Sequence, residues 1–143
     1  IAILSSVLLE RVMFYRDQAE RAAMLQVVGN LRSALHLQLA LLLVRNREYE
    51  LIRLTQENPM QWLAEKPANY LGEFDAPNPE SLSKGNWYYD KRDKRLVYLI
   101  AGATGKNESN RVYLNVNLLR GKSDSLTTFK GGIEGVVLEQ SGP

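Results

Sequence analysis

The side chains that most often do chemistry are few in this sequence and poorly spaced for it. There is no cysteine, which excludes disulfides, thiolate metal sites and cysteine nucleophiles together. The single histidine, His36, stands among leucines with no carboxylate beside it in sequence, so neither a histidine dyad nor a histidine-rich metal centre can form. Asp90, Asp93 and Glu108 fall in predicted turns, where acidic residues serve the backbone more often than they move protons. Gly102-Ala103-Thr104-Gly105-Lys106 has the residue types of a phosphate-binding loop but not the GxxxxGK[ST] spacing, and no helix follows it. Ser123-Asp124-Ser125 offers oxygen ligands with one carboxylate, too few for a calcium loop. Trp87, Tyr88, Tyr89, Tyr98 and Tyr113 have the chemistry of a stacking platform for bases or glycans, and equally that of alternating core and cross-strand pairs. The cluster Lys91, Arg92, Lys94 and Arg95 is broken by Asp93 and reads as a solvated turn, with Arg92 and Lys94 as its candidate ligand contacts. No catalytic residue, cofactor or metal site is predicted.

The elements that position these residues come in two blocks. No proline precedes Pro59, and Gly29 is the only glycine before Gly72, so the first block favours continuous helix to about Leu54. Met24, Val28, Leu31, Leu35, Leu39 and Leu42 recur at steps of three or four and form one apolar stripe. Asp17 with Arg21, and Arg16 with Glu20, are spaced as i,i+4 ion pairs. Leu37 to Val44 (LQLALLLV) is apolar nearly all round and needs cover on every side, from the protein's own sheet and from a neighbouring chain. A helix this long measures about 80 Å and must protrude from a head nearer 30 Å across. Ile1 to Leu9 is apolar or small but too short to cross a bilayer alone. No basic region precedes it and no small-residue cleavage site comes after it. It reads either as the end of a longer apolar segment or as the start of a buried helix.

Asn58-Pro59 is a helix-start signal for a short helix to about Lys66, and Pro67 to Gly85 reads as a surface loop pinned by Tyr70, Leu71 and Phe74. From Asn86 the period changes. Residues 86–90 and 95–100 predict a hairpin, 111–118 alternates as a half-buried strand, and 125–129 and 133–139 predict two more strands. The predicted class is α+β: residues 1–54 a long N-terminal helix, residues 55–143 a head with an antiparallel sheet of about four strands packed on it. With 18 basic and 16 acidic residues the chain has no strong field, and no nucleic-acid partner is expected.

This layout resembles type IV pilins and the pseudopilins of type II secretion systems. The segment IAILSSVLLERVMFYRDQAERAAMLQVVGNLRSALHLQLALLL is similar to their N-terminal helix, and WYYDKRDKRLVYLI to the first hairpin of many pseudopilins and minor pilins. The likeness covers the architecture of the whole chain and is strongest over residues 1–45. The family's processing motif, a glycine followed by Phe-Thr-Leu and an acidic residue, is not in the sequence; the resemblance places it before Ile1. The paired C-terminal cysteines and the Asp-rich calcium loop are also missing, which points to a minor or divergent member. The resemblance implies an inner-membrane protein with a periplasmic head, extracted by membrane assembly machinery into a filament of like subunits. It implies subunit contacts at Leu4, Leu8, Leu37 and Leu41, with Glu10, Arg11, Arg16, Asp17, Glu20 and Arg21 pairing between chains. Two other readings stay open: a soluble coiled-coil adaptor, and a filament-tip protein that holds DNA, glycan or secreted cargo.

Overall fold

A computed structural model of the chain describes residues 2–102, 110–120 and 133–142. Helix α1 (Ala2–Val44) is unbroken over 43 residues, about 65 Å at 1.5 Å per residue. It stops well short of the expected Leu54. The Arg47 N–H donates to the Leu42 carbonyl at 2.8 Å and the Asn46 N–H to that of Leu43 at 3.2 Å. Asn46 sits at φ 53° between them. This double hook satisfies the last carbonyls and turns the chain through a left-handed residue, a role that asparagine accepts more readily than most side chains. A 3-10 turn (Glu48–Glu50) and the short α2 (Leu51–Leu54) come next, and both Leu51 and Leu54 are buried. Residues 45–54 therefore belong to the head and not to the rod.

Asn58 does act as a cap: its side chain accepts from the Met60 N–H at 3.0 Å, with Pro59 in first position. The element it starts is one 3-10 turn (Pro59–Trp62) and not a helix to Lys66, because Leu63 is already extended at ψ 134°. The Asn58 amide also donates to Tyr70 Oη at 2.7 Å and to Glu73 Oε1 at 3.0 Å. That tie draws in a strand absent from the sequence expectation, β1 (Tyr70–Phe74).

The sheet has five strands in the order β1-β2-β3-β4-β5. β1 pairs parallel with β2 (Trp87–Asp90), and its register slips between Tyr70 and Glu73, where Gly72 takes φ 116°. β2 with β3 (Arg95–Leu99), β3 with β4 (Arg111–Arg120) and β4 with β5 (Ile133–Ser141) are all antiparallel. The predicted hairpin and the strands predicted at 111–118 and 133–139 are thus present, in a mixed sheet of five. The expectation for 125–129 lies outside the described residues.

Both sheet faces are covered at its centre. Met24, Val28, Leu31, Leu35 and Leu42 of α1 pack with Trp87, Tyr89, Leu96, Tyr98, Val112, Leu114, Val116 and Leu138. Across the sheet, Tyr88, Val97 and Leu99 pack with Phe74, Leu82 and Tyr113. This explains why Trp87-Tyr88-Tyr89 is aromatic without alternation: each successive side chain enters a different apolar layer.

The cap of α1 is testable. Asn46→Gly is expected to hold or raise the unfolding midpoint, whereas Asn46→Val should cost about 1–2 kcal/mol, because a β-branched residue resists the left-handed region. Thermal unfolding of the two variants checks both signs.

Candidate assembly surface

Helix α1 divides into a packed half and a bare half. On the packed half every stripe residue predicted from the sequence is buried except Leu39, which is half-buried. The opposite side of that half leaves Leu37 60% and Leu41 41% exposed, and Val44 is exposed beside them. On the bare half, residues 3–19 are all exposed, including Leu4 at 77% and Leu8 at 65%. Ile3, Leu4, Val7, Leu8, Leu9, Val12, Met13, Phe14 and Tyr15 advance by about 100° per residue and so surround the axis, with no single seam. Among the described helices α1 alone is long and apolar enough to cross a membrane.

The charged residues picked out by the sequence behave in two ways. Glu10, Arg11, Arg16, Asp17 and Arg21 are exposed on the helix. The expected pairs Arg16–Glu20 and Asp17–Arg21 are not among the ion pairs of the described residues. Glu20 is turned away from Arg16 to hold the head. Its Oε1 accepts from the Tyr98 hydroxyl at 2.8 Å and from the Ala101 N–H at 2.6 Å, and its Oε2 accepts from the Gly102 N–H at 3.1 Å. One carboxylate with three donors, two of them main-chain, fixes the end of β3 to the helix. Sequence reasoning missed this role, since 78 to 82 residues separate the partners. Asp17, Glu20, Arg21, Tyr98 and Gly102 line a cleft where the bare stem emerges from under the head.

Arg92 and Lys94 lie at the other end of the same hairpin. The turn is organised by Asp90, whose buried Oδ1 accepts from the N–H groups of Arg92 at 3.0 Å, Asp93 at 3.4 Å and Ala76 at 3.2 Å. Asp90 therefore does the backbone work expected of an acid in a turn. Asp93 pairs with Arg95 at 3.3 Å, and Arg95 stacks on Tyr113 at 4.1 Å. Lys94, at φ 52°, donates through its ammonium to the side-chain Oε1 of Gln56. Thr55, Gln56, Arg92, Lys94, Asn115 and Asn117 line a shallow polar groove here.

The remaining candidates separate cleanly. His36 is exposed on α1. Trp87, Tyr88, Tyr89 and Tyr98 are buried, so these four are core and offer no stacking platform. Glu108, most of the 102–106 loop and the 123–125 cluster lie outside the described residues. Among the described residues no three of His, Asp and Glu gather as a metal site. No protein-family model, curated protein or solved structure matches the chain.

The clamp and the core are each open to measurement. Glu20→Ala removes the acceptor of the part-buried Tyr98 hydroxyl and of two exposed main-chain donors, which water can then satisfy, and is expected to destabilise the head by about 1 kcal/mol in denaturant unfolding. The phenols of Tyr70, Tyr88, Tyr89 and Tyr98 are all pushed up by burial, and for Tyr98 the hydrogen bond to the Glu20 carboxylate adds to it. The folded state then holds these protons more tightly than the unfolded chain. Their contribution is complete below about pH 10 and is lost as pH rises through the higher folded values. Tyrosinate absorbance should appear later in the folded than in the urea-unfolded protein, and the unfolding midpoint should fall above pH 10.

Proposed function

We propose that the chain is a pilin-like structural subunit, held in a bacterial inner membrane by its N-terminal helix and assembled through that helix into a type IV pilus or a type II secretion pseudopilus. The observation that carries this reading is the unbroken helix whose residues 3–19 are exposed on every side. Apolar side chains placed all round an axis are not satisfied by one partner helix, which covers a single stripe. They call for lipid before assembly and for several neighbouring helices after it. Exchange between the two environments changes little for such a surface, because lipid tails and leucines are similarly apolar. The apolar end Ile3–Leu9 is about 10 Å long, a third of a bilayer's hydrocarbon core.

In this reading the two halves of α1 have different tasks. The stem enters the bilayer or the filament core, while Leu37, Leu41 and Val44 present a second apolar strip to the helices around them. The head then lies in the periplasm and, after extraction by the membrane machinery, on the outside of the filament. The chain supplies contacts and carries out no reaction.

The test uses the full chain with phospholipid vesicles. Leu4→Asp with Leu8→Asp should abolish flotation with the vesicles while leaving the head's unfolding midpoint in place. Leu37→Asp with Leu41→Asp should retain flotation and lose crosslinked multimers. A parent chain that stays out of the vesicles as a defined soluble dimer would overturn the proposal in favour of a coiled-coil adaptor.

A further inference from the structure

We propose that in the unassembled subunit the back of α1, the side turned away from the head, lies along an anionic lipid surface, with the stem deepest and the head held off the membrane. This gives the rod's lipid contact a side and a lipid class, and it rests on the membrane half of the reading above.

The back of the rod is largely apolar from end to end. With the buried stripe Met24, Val28, Leu31 and Leu35 taken as the front, a rotation of about 100° per residue puts Leu4, Leu8, Tyr15, Leu37 and Val44 within about 40° of the opposite line. All five are exposed, from 60% to 81%. They extend over about 60 Å of the rod. Ala22, Gln26, Ser33 and Ala40 come between them on the same line and are exposed as well. A strip of this length is more than a soluble monomer ordinarily leaves bare.

Charge is divided about this strip. The acids of α1 are Glu10, Asp17 and Glu20, and all three are on the front. Glu20 binds the head, Asp17 is seated against Gly102, and Glu10 comes two turns before Asp17. Arg21 shares their cleft. The other arginines of the helix do not. Arg11 borders the back strip, and Arg16 and Arg32 stand roughly 100° to either side of it. All three are exposed and outside the ion pairs of the described residues. From Arg21 to Arg47 the sequence has no acid at all.

An apolar strip with arginines on its borders and acids on the far side matches a lipid surface bearing negative headgroups. The leucines enter the acyl boundary, and the guanidinium groups reach the phosphates along their own aliphatic stems. A second copy meeting this strip face to face would bring arginine borders together with no acid to answer them, which disfavours a soluble pair. An upright rod would make no use of the division, since residues at one depth then meet the same medium whichever face they occupy. A shallow tilt keeps Glu10 and Asp17 toward water. On assembly the strip exchanges lipid for neighbouring helices, as the stem does.

The test uses the full chain and phosphatidylcholine vesicles with and without phosphatidylglycerol. The sequence has no cysteine, so Ser33→Cys on the strip and Ser81→Cys in an exposed turn of the head each take one environment-sensitive label. With phosphatidylglycerol present, the Ser33 label should shift to the blue and be quenched by lipid-borne nitroxide, and the Ser81 label should do neither. Arg11→Gln with Arg32→Gln should lower affinity for these vesicles about tenfold or more while the head's melting temperature stays in place. If nitroxide reaches a Leu4→Cys label and the Ser33 label stays in water, the surface contact is overturned and the membrane reading stands. Equal binding with and without phosphatidylglycerol also overturns it. A Ser33 label that becomes shielded without vesicles as protein concentration rises overturns it in favour of a second copy. If nitroxide reaches neither Leu4 nor Ser33, both readings fail.

Discussion

A rod of about 65 Å is docked on a sheet whose longest strand, β4, has ten residues, or about 34 Å of extended chain at most. Among the described residues, the apolar stripe from Met24 to Leu42 is the part of the rod buried in the core of the head. Everything else about the molecule answers to that mismatch. Burying the stripe anchors the head to one half of the helix, and the same packing leaves residues 3–19 exposed among the described residues. The helix cannot shorten itself, because no proline or glycine interrupts its first 28 residues and backbone bonds run through it without a break. What the described residues leave uncovered carries apolar side chains all round the axis of its first four turns.

One polar tie at the edge of the apolar contact fixes the head on the rod, and two more hold the head itself together. Glu20 takes three donors from the end of β3, Asn58 joins a 3-10 turn to β1, and Asp90 gathers three main-chain N–H groups around the hairpin turn. Apolar packing alone is tolerant of sliding by a helical turn. A carboxylate matched to particular donors is not, since a shift would break its three hydrogen bonds together. Glu20 thus converts a greasy contact into one defined arrangement, while Asn58 and Asp90 fix the head's own turns.

Local sequence determined the helix, its buried stripe, the Asn58 cap, the hairpin and the alternation of β4, because each depends on residues within a few positions of one another. Met24, Val28, Leu31 and Leu35 were legible from spacing alone, and the exposed Leu37 and Leu41 from the surplus of leucines that one stripe cannot absorb. Tertiary structure alone decided the rest. β1 is short, holds Gly72 and needs β2 as a parallel partner from across a connection, so nothing local announces it. The end of α1 at Val44 rests on a left-handed Asn46 in a stretch whose propensities still favour helix. Glu20 looked like a surface ion-pair residue and is a clamp, because its donors lie some eighty positions away and only the folded chain brings them within reach.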